Sequence, residues 1–165
     1  KNFERFYILG RLLEENNTEL IINSFAKSKG LKKLYIIGKS NKFFEEKIRP
    51  IISSKKNIIF LGAIYDRQKL FNICNCCDFY IHGHSVGGTN PTLIEAINLK
   101  KKIISFKSSF NKEILKKNAL YFKNENELIK KLNSKKYIFL QTPNFQKEFT
   151  AKHINDMYSS ILLDI

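Results

Sequence analysis

The stretch from His82 to Glu95, His-Gly-His-Ser-Val-Gly-Gly-Thr-Asn-Pro-Thr-Leu-Ile-Glu, concentrates residue types that can hold and polarise a ligand. Asn90 suits a helix N-cap and Pro91 the first helical position, which leaves the amides that follow, and the positive end of the helix dipole, facing outward. Gly87 and Gly88, just ahead, let an anion reach the backbone without meeting a Cβ. Together they predict a cradle for phosphate. Glu95 stands one turn up, off the Leu93, Ile94, Ile97 stripe; it would repel a bare phosphate but can accept two hydroxyl hydrogen bonds from a diol such as ribose. Arg11, at the end of the first apolar run, can add charge-assisted bonds to a diphosphate. The pattern is neither Gly-x-Gly-x-x-Gly nor a Gly-Lys-Ser/Thr loop. It favours phosphate or nucleotide binding over the competing description, an ordinary capped helix with a surface glutamate, and leaves the reaction open.

These residues need a scaffold that brings distant turns to one edge. Apolar runs rich in Ile, Phe and Tyr at Phe6–Gly10, Leu34–Gly38, Ile58–Gly62, Phe79–His82 and Ile103–Phe106 have the unbroken hydrophobicity of strands buried on both faces. Helical segments at about Thr18–Ser28, Lys42–Ser53, Asp66–Cys76 and Pro91–Leu99 alternate with them. A weaker strand at Ala119–Phe122 and a helix at Glu125–Leu132 extend the series. The expectation is an α/β fold, a Rossmann-like parallel sheet with helices on both faces and right-handed crossovers. Ligands then bind beyond the carboxyl ends of the strands. Gly10, Gly38, Gly62, Gly83, Gly87 and Gly88, six of the seven glycines, fall at those ends. The tail from Pro143 to about Leu163 reads as one or two terminal helices.

Composition limits the alternatives. With 165 residues, 43% of them hydrophobic and 13% aromatic, the chain suits one domain with a real core, and disorder is excluded. No apolar run approaches the ~20 residues of a membrane span. Lys1–Arg5 is neither a signal peptide nor a normal start, and the chain reads as a piece of a longer protein. Cys74, Cys76 and Cys77 are too close together for a disulfide framework, and no nearby Cys or His completes a zinc site. Cys74 and Cys77 read as small hydrophobes on one face of a short helix, and the compartment as reducing. The formal charge of +14 is mostly lysine scattered over many segments, without the arginine richness or aromatic interleaving of a nucleic-acid reader. Attraction of an anionic ligand or an anionic membrane surface is compatible with it.

Four segments in order and spacing, Gly10-Arg11-Leu12, Leu34-Tyr35-Ile36-Ile37-Gly38, Asn57-Ile58-Ile59-Phe60-Leu61-Gly62 and Leu93-Ile94-Glu95-Ala96, resemble the carboxyl-terminal donor-binding domain of retaining GT-B-fold glycosyltransferases. The resemblance runs from about Phe6 to Phe122. The longer run Tyr80–Ala96, with Ala119-Leu120-Tyr121-Phe122, is similar to the rhamnosyltransferase-type branch of bacterial capsule and surface-polysaccharide assembly. The resemblance implies a nucleotide-sugar donor (dTDP-, UDP- or GDP-linked), no metal or cofactor, and a cytoplasmic site, with peripheral contact at the inner face of the membrane where a lipid-linked acceptor is presented. It implies an absent amino-terminal acceptor domain, onto which a terminal helix within about 143–165 packs. A fragment without that domain is expected to bind donor weakly and to transfer nothing.

Roles follow from the resemblance position by position. Gly10 and Arg11 face the donor diphosphate, Glu95 the ribose, the turn Ala63-Ile64-Tyr65 the nucleobase, and the backbone from Gly87, Gly88, Thr89, Asn90 and Pro91 holds phosphate and sugar oxygens. Two positions depart from the family pattern: Asn16 stands where a phosphate-binding lysine is usual, and Gly87 where the first glutamate of a Glu-x7-Glu pair is usual. His82, His84 or Ser85 is then expected to take over part of the sugar contact, with His84 the candidate catalytic group beside Arg11 and Glu95. A buried structural role for His82, helix capping for Asn17 and an exposed turn for Asn111 and Glu113 are the plainer alternatives. Two rival functions share much of this pattern: a nucleotide-sugar epimerase of GT-B architecture, and a non-catalytic nucleotide-binding α/β domain.

Overall fold

The computed structural model describes residues 3–86, 88, 90–134 and 136. The expected terminal helices beyond Pro143, and the Gly87 and Thr89 contributions to the phosphate cradle, lie outside the described residues. Six strands form one sheet: β1 (Glu4–Leu9), β2 (Lys32–Ile37), β3 (Ile58–Gly62), β4 (Phe79–His82), β5 (Lys102–Phe106) and β6 (Ala119–Phe122), in the order β3-β2-β1-β4-β5-β6. Every pairing is parallel, and in register Tyr7 of β1 lies opposite Tyr35 of β2 and Tyr80 of β4. The chain winds outward from β1 through β2 to β3, then returns to β4 on the other side of β1. The order of winding therefore reverses between β1 and β4, which is where doubly wound sheets open a ligand crevice.

Alternate residues of each strand feed two cores, because successive side chains point to opposite faces. Phe6, Ile8, Leu34, Ile36, Phe79 and Ile81 pack on Ile21, Ile22 and Phe25 of α1 (Thr18–Lys27) and on Leu128 and Leu132 of α6 (Glu125–Ser134). The Phe6 and Phe79 rings stack at 4.6 Å between centroids. On the opposite face Tyr7, Tyr80 and Ile103 meet Cys74 of α3 (Arg67–Asn75), Leu93, Ala96 and Ile97 of α4 (Pro91–Asn98), and Leu115 of α5 (Ser109–Leu115). Burying each such large apolar side chain contributes about 1.5–3 kcal/mol. Cys74 and Cys77 are buried free thiols and Cys76 is exposed, in keeping with their reading as small hydrophobes. Burial pushes the Cys74 thiol up to about 11 and the Cys77 thiol up to about 12.

Two local expectations are corrected. The segment read as one helix over Lys42–Ser53 is instead a π turn at Phe44–Ile48 running into a short α2 (Arg49–Ile52). Pro50 has no amide hydrogen and its ring crowds the Glu46 carbonyl four residues back, so the preceding turn widens. The turn expected around Asn111 is α5, capped by Ser108, whose hydroxyl accepts from the Asn111 amide. The lysine surplus is not all on the surface either. Lys32 and Lys101 are buried; the Lys32 ammonium donates to the Leu132 carbonyl at 3.0 Å, and the Lys101 ammonium to the carbonyls of Asn75 and Cys77 at 3.0 and 2.8 Å. Both tie helix ends to the sheet.

Candidate functional site

A cavity of about 270 Å³ opens at the carboxyl ends of β1 and β4. Gly10, Arg11 and Asn16 line one side, His82, Gly83 and His84 the floor and far side, and Asn90, Pro91 and Thr92 the third side. Residues separated by some 80 positions in sequence thus meet at the switch point. The N-terminus of α4 is built as its residue types predict: the Asn90 side chain accepts from the Thr92 amide at 3.0 Å and Pro91 occupies the first turn. The remaining first-turn amides and the dipole point at the cavity mouth, a position that favours an anion. Gly88 is exposed, with nothing within 4 Å of the place where a Cβ would be.

The loops around this cavity are braced against each other. Gly83 passes so close to the turn after β1 that a Cβ there would sit 2.0 Å from the Asn16 carbonyl oxygen and 2.7 Å from Ile21 Cδ1. The Asn17 side chain donates to the Gly83 carbonyl at 2.8 Å; Asn17 itself adopts φ 49, ψ 33 and makes no side-chain cap to α1, contrary to its plainer reading. The Ser85 hydroxyl and amide both donate to the Glu15 carbonyl, at 2.7 and 3.0 Å. Asn111 is buried, and its amide donates to the carbonyls of His84 and Phe106, both at 2.9 Å. It anchors the loop and is not the exposed turn residue of the sequence reading.

Each candidate side chain now has a place. Arg11 is exposed and reaches Glu15 at 3.1 Å, an open pair with a guanidinium available to an incoming anion. Asn16 donates to the Arg11 carbonyl at 2.6 Å, which directs its amide oxygen at His84 Nδ1, 2.7 Å away. The usual lysine position therefore carries a residue that orients His84. Glu95 is exposed but does not border this cavity. It lines a second groove between α3 and α4, with Arg67, Leu70, Phe71 and Cys74. Ala63, Ile64 and Tyr65 follow β3 outside both, and Tyr65 is 84% exposed. Tyr80 and Thr92 were not singled out in the sequence, where an apolar strand and a helix start conceal them. The Tyr80 hydroxyl joins His82 Nδ1 at 3.0 Å and Thr92 Oγ1 at 2.8 Å, and Thr92 Oγ1 donates to Asn90 Oδ1 at 2.8 Å. Burial, with His84 nearby, pushes the His82 imidazole down to about 3, so it is neutral at physiological pH. Among the described residues no group of His, Cys, Asp and Glu could hold a metal ion.

The sequence profile of the family glycosyl transferases group 1 matches residues 1–154. The chain belongs to this family. No curated protein matches it in sequence, but solved structures share its fold. HepE of Anabaena, solved in complex with UDP, superposes with a TM-score of 0.83 at 16% identity over 99% of this chain and 50% of that one. The lipopolysaccharide outer core galactosyltransferase WaaB gives 0.77 at 15% identity, covering 100% and 50%. The C-terminal domain of a glycosyl transferase group 1 family protein, LpcC, from Francisella tularensis gives 0.72 at 20% identity, covering 85% and 80%. This group 1 glycosyltransferase domain has the Rossmann-like half of the GT-B architecture and spans about half the length of HepE and WaaB. Among its described residues no helix is long and apolar enough to cross a membrane.

Proposed function

We propose that this domain is the donor-binding half of an enzyme that moves a sugar from a nucleoside diphosphate to a growing bacterial surface or capsular glycan, with retention of configuration. The observation that carries the reading is the convergence of the open Arg11 guanidinium and the α4 N-terminus on one cavity at the switch point. A diphosphate seated there has its charge matched by fixed donors, and those donors stabilise it further as it departs from the sugar. Glu95, on the α3 side of α4, receives the ribose, and the exposed shelf Ala63–Tyr65 the base. The similarity of Tyr80–Ala96 to the rhamnosyltransferase-type branch supports dTDP-rhamnose as donor. An amino-terminal acceptor domain completes the cleft, and the excess of lysine suits work at the inner face of an anionic membrane.

Calorimetric titration of the chain with dTDP, UDP, GDP and CMP tests the reading. Selective binding of a nucleoside diphosphate, weakened by Arg11→Ala and by Glu95→Ala, is the expected result. Absence of binding to all four by the folded protein overturns it.

A further inference from the structure

Of the three side chains after β4 that could meet a ligand, His82, His84 and Ser85, the fold leaves one ready to do so. The Ser85 hydroxyl gives its proton to the Glu15 carbonyl. His82 is buried beside the Tyr80 hydroxyl and the Asn111 amide. His84 is half-buried and lines the β1–β4 cavity. Its carbonyl accepts from Asn111 at 2.9 Å, and its Nδ1 stands 2.7 Å from Asn16 Oδ1. The other end of that amide donates to the Arg11 carbonyl at 2.6 Å, so oxygen is the atom that faces the ring. An amide oxygen only accepts, and Nδ1 therefore carries a proton. Nε2, on the far side of the ring, is neither paired nor buried among the described residues. A neutral His84 offers a lone pair there and a cationic His84 an N–H, and Asn16 holds both in the same way.

The surroundings decide between those two states. Arg11 lines the cavity from the turn after β1, with Glu15 paired to it, and β4 contributes Tyr80 and the neutral His82. From α4 come Asn90, Pro91 and Thr92, and from α5 Asn111, all uncharged. Among the described residues no carboxylate lines the cavity. An anion seated between Arg11 and the N-terminus of α4 thus meets His84 without a competing negative group on the cavity wall, and its charge favours the imidazolium. Imidazole is also the side chain whose charge changes most readily near neutral pH. We infer that His84, presented by Asn16, is a second cation for the donor diphosphate: binding draws a proton from solvent onto Nε2, which then donates to a phosphate oxygen. The inference rests on the donor-binding reading above and deepens it, because it couples donor binding to proton uptake. The loop histidine then serves the departing diphosphate in place of the sugar hydroxyls, and Asn16 is its positioning residue.

The diphosphate of a sugar nucleotide is esterified at both ends and does not itself titrate near neutral pH, so proton uptake on binding belongs to the protein. UDP-glucose, GDP-mannose and dTDP-rhamnose are titrated calorimetrically into the whole chain. The tightest binder is then repeated from about pH 6 to about pH 8 in buffers of different ionisation enthalpy. The native chain should take up part of a proton and bind more tightly at the lower pH. His84→Gln should take up none and bind about tenfold more weakly at about pH 6, the two proteins converging as pH rises. Independently of any variant, NMR of the native rings should show His84 passing from neutral imidazole to imidazolium as ligand is added, with Nδ1 protonated throughout. Asn16→Ala should release the neutral ring into a mixture of tautomers and lose part of the affinity gained at low pH. Binding without proton uptake, uptake that persists in His84→Gln, or a His84 ring that stays neutral in the complex overturns the inference and leaves the donor domain standing. Absence of binding to all three by the folded native chain overturns the donor reading, and this inference with it.

Discussion

The two ends of this sheet edge are built in opposite ways. At the switch point, the turns after β1 and β4 are cross-braced: Gly83 presses on Asn16, Asn17 reaches back to Gly83, Ser85 to Glu15, and Asn111 holds the His84 carbonyl. Two strands away, the turn after β3 leaves Ala63 and Tyr65 in solvent. Fixed donors matter where charge develops, because a preorganised site does not have to reorganise during reaction. A base needs only a surface to lie against, and an open shelf supplies it. On the donor-binding proposal, the contrast gives rigidity to the diphosphate and sugar end of the ligand and tolerance to the base end.

Gly83→Ala breaks the braced side most directly. The added Cβ meets backbone oxygen and a core isoleucine, neither of which can swing away, so a loss of about 3 kcal/mol in unfolding free energy is expected. Chemical denaturation with an unchanged m-value reads it. A loss below about 1 kcal/mol means that the two turns can separate and that the bracing is weak.

A pH dependence of about 2 kcal/mol follows from the same region. The folded-state pKa of His82 is about 3, below the ordinary value of 6.5, so the unfolded chain takes up a proton that the folded chain refuses. Stability contributed by the neutral ring is complete above about pH 6.5 and falls as pH drops toward 3, at about 1.4 kcal/mol per unit. Between pH 7 and pH 5 the native chain should lose about 2 kcal/mol more than His82→Gln does. Parallel curves for the two proteins remove the buried neutral histidine from the account.

Much of this architecture was legible beforehand, and for a physical reason. Strands buried on both faces write themselves as unbroken Ile, Phe and Tyr runs, so β1 to β5 and their order of alternation with helices could be read directly, and Asn90-Pro91 marks a helix start by its own chemistry. What could not be read depends on contacts across the sheet. Asn17 looks like a cap until the fold brings Gly83 to it. Tyr80 looks like core until Thr92 arrives one helix start later. Glu95 is correctly free of the apolar stripe, but periodicity does not say that its free side borders the α3–α4 groove and not the β1–β4 cavity. The π turn needed the effect of Pro50 on its own preceding carbonyl to outweigh an otherwise helical pattern.

Arg11→Ala separates ligand binding from stability on the braced side. Its guanidinium is 77% exposed and its partner Glu15 only half-buried, so the pair adds little to folding and the expected change in unfolding free energy is within about 0.5 kcal/mol. A charge-assisted bond to a diphosphate is stronger, and about a tenfold loss of nucleoside diphosphate affinity is expected by calorimetry. A stability loss matching the affinity loss would make Arg11 a brace for the loop and not a ligand group.

Tyr65→Ala gives the smallest effect and sharpens the contrast from the other side. An 84% exposed ring after β3 leaves no cavity when removed, so stability should stay within about 0.5 kcal/mol of native. A base stacked on one face of that open ring would lose about 1 kcal/mol of contact, the low end for such stacking, a loss shared equally by a nucleoside diphosphate and its sugar nucleotide, because the shelf never meets the sugar. Affinity for inorganic pyrophosphate, which has no base, should not change. If pyrophosphate binding falls with the rest, the turn after β3 is shaping the diphosphate cradle. The two ends of the edge would then be one coupled site, in place of a rigid pocket beside an open shelf.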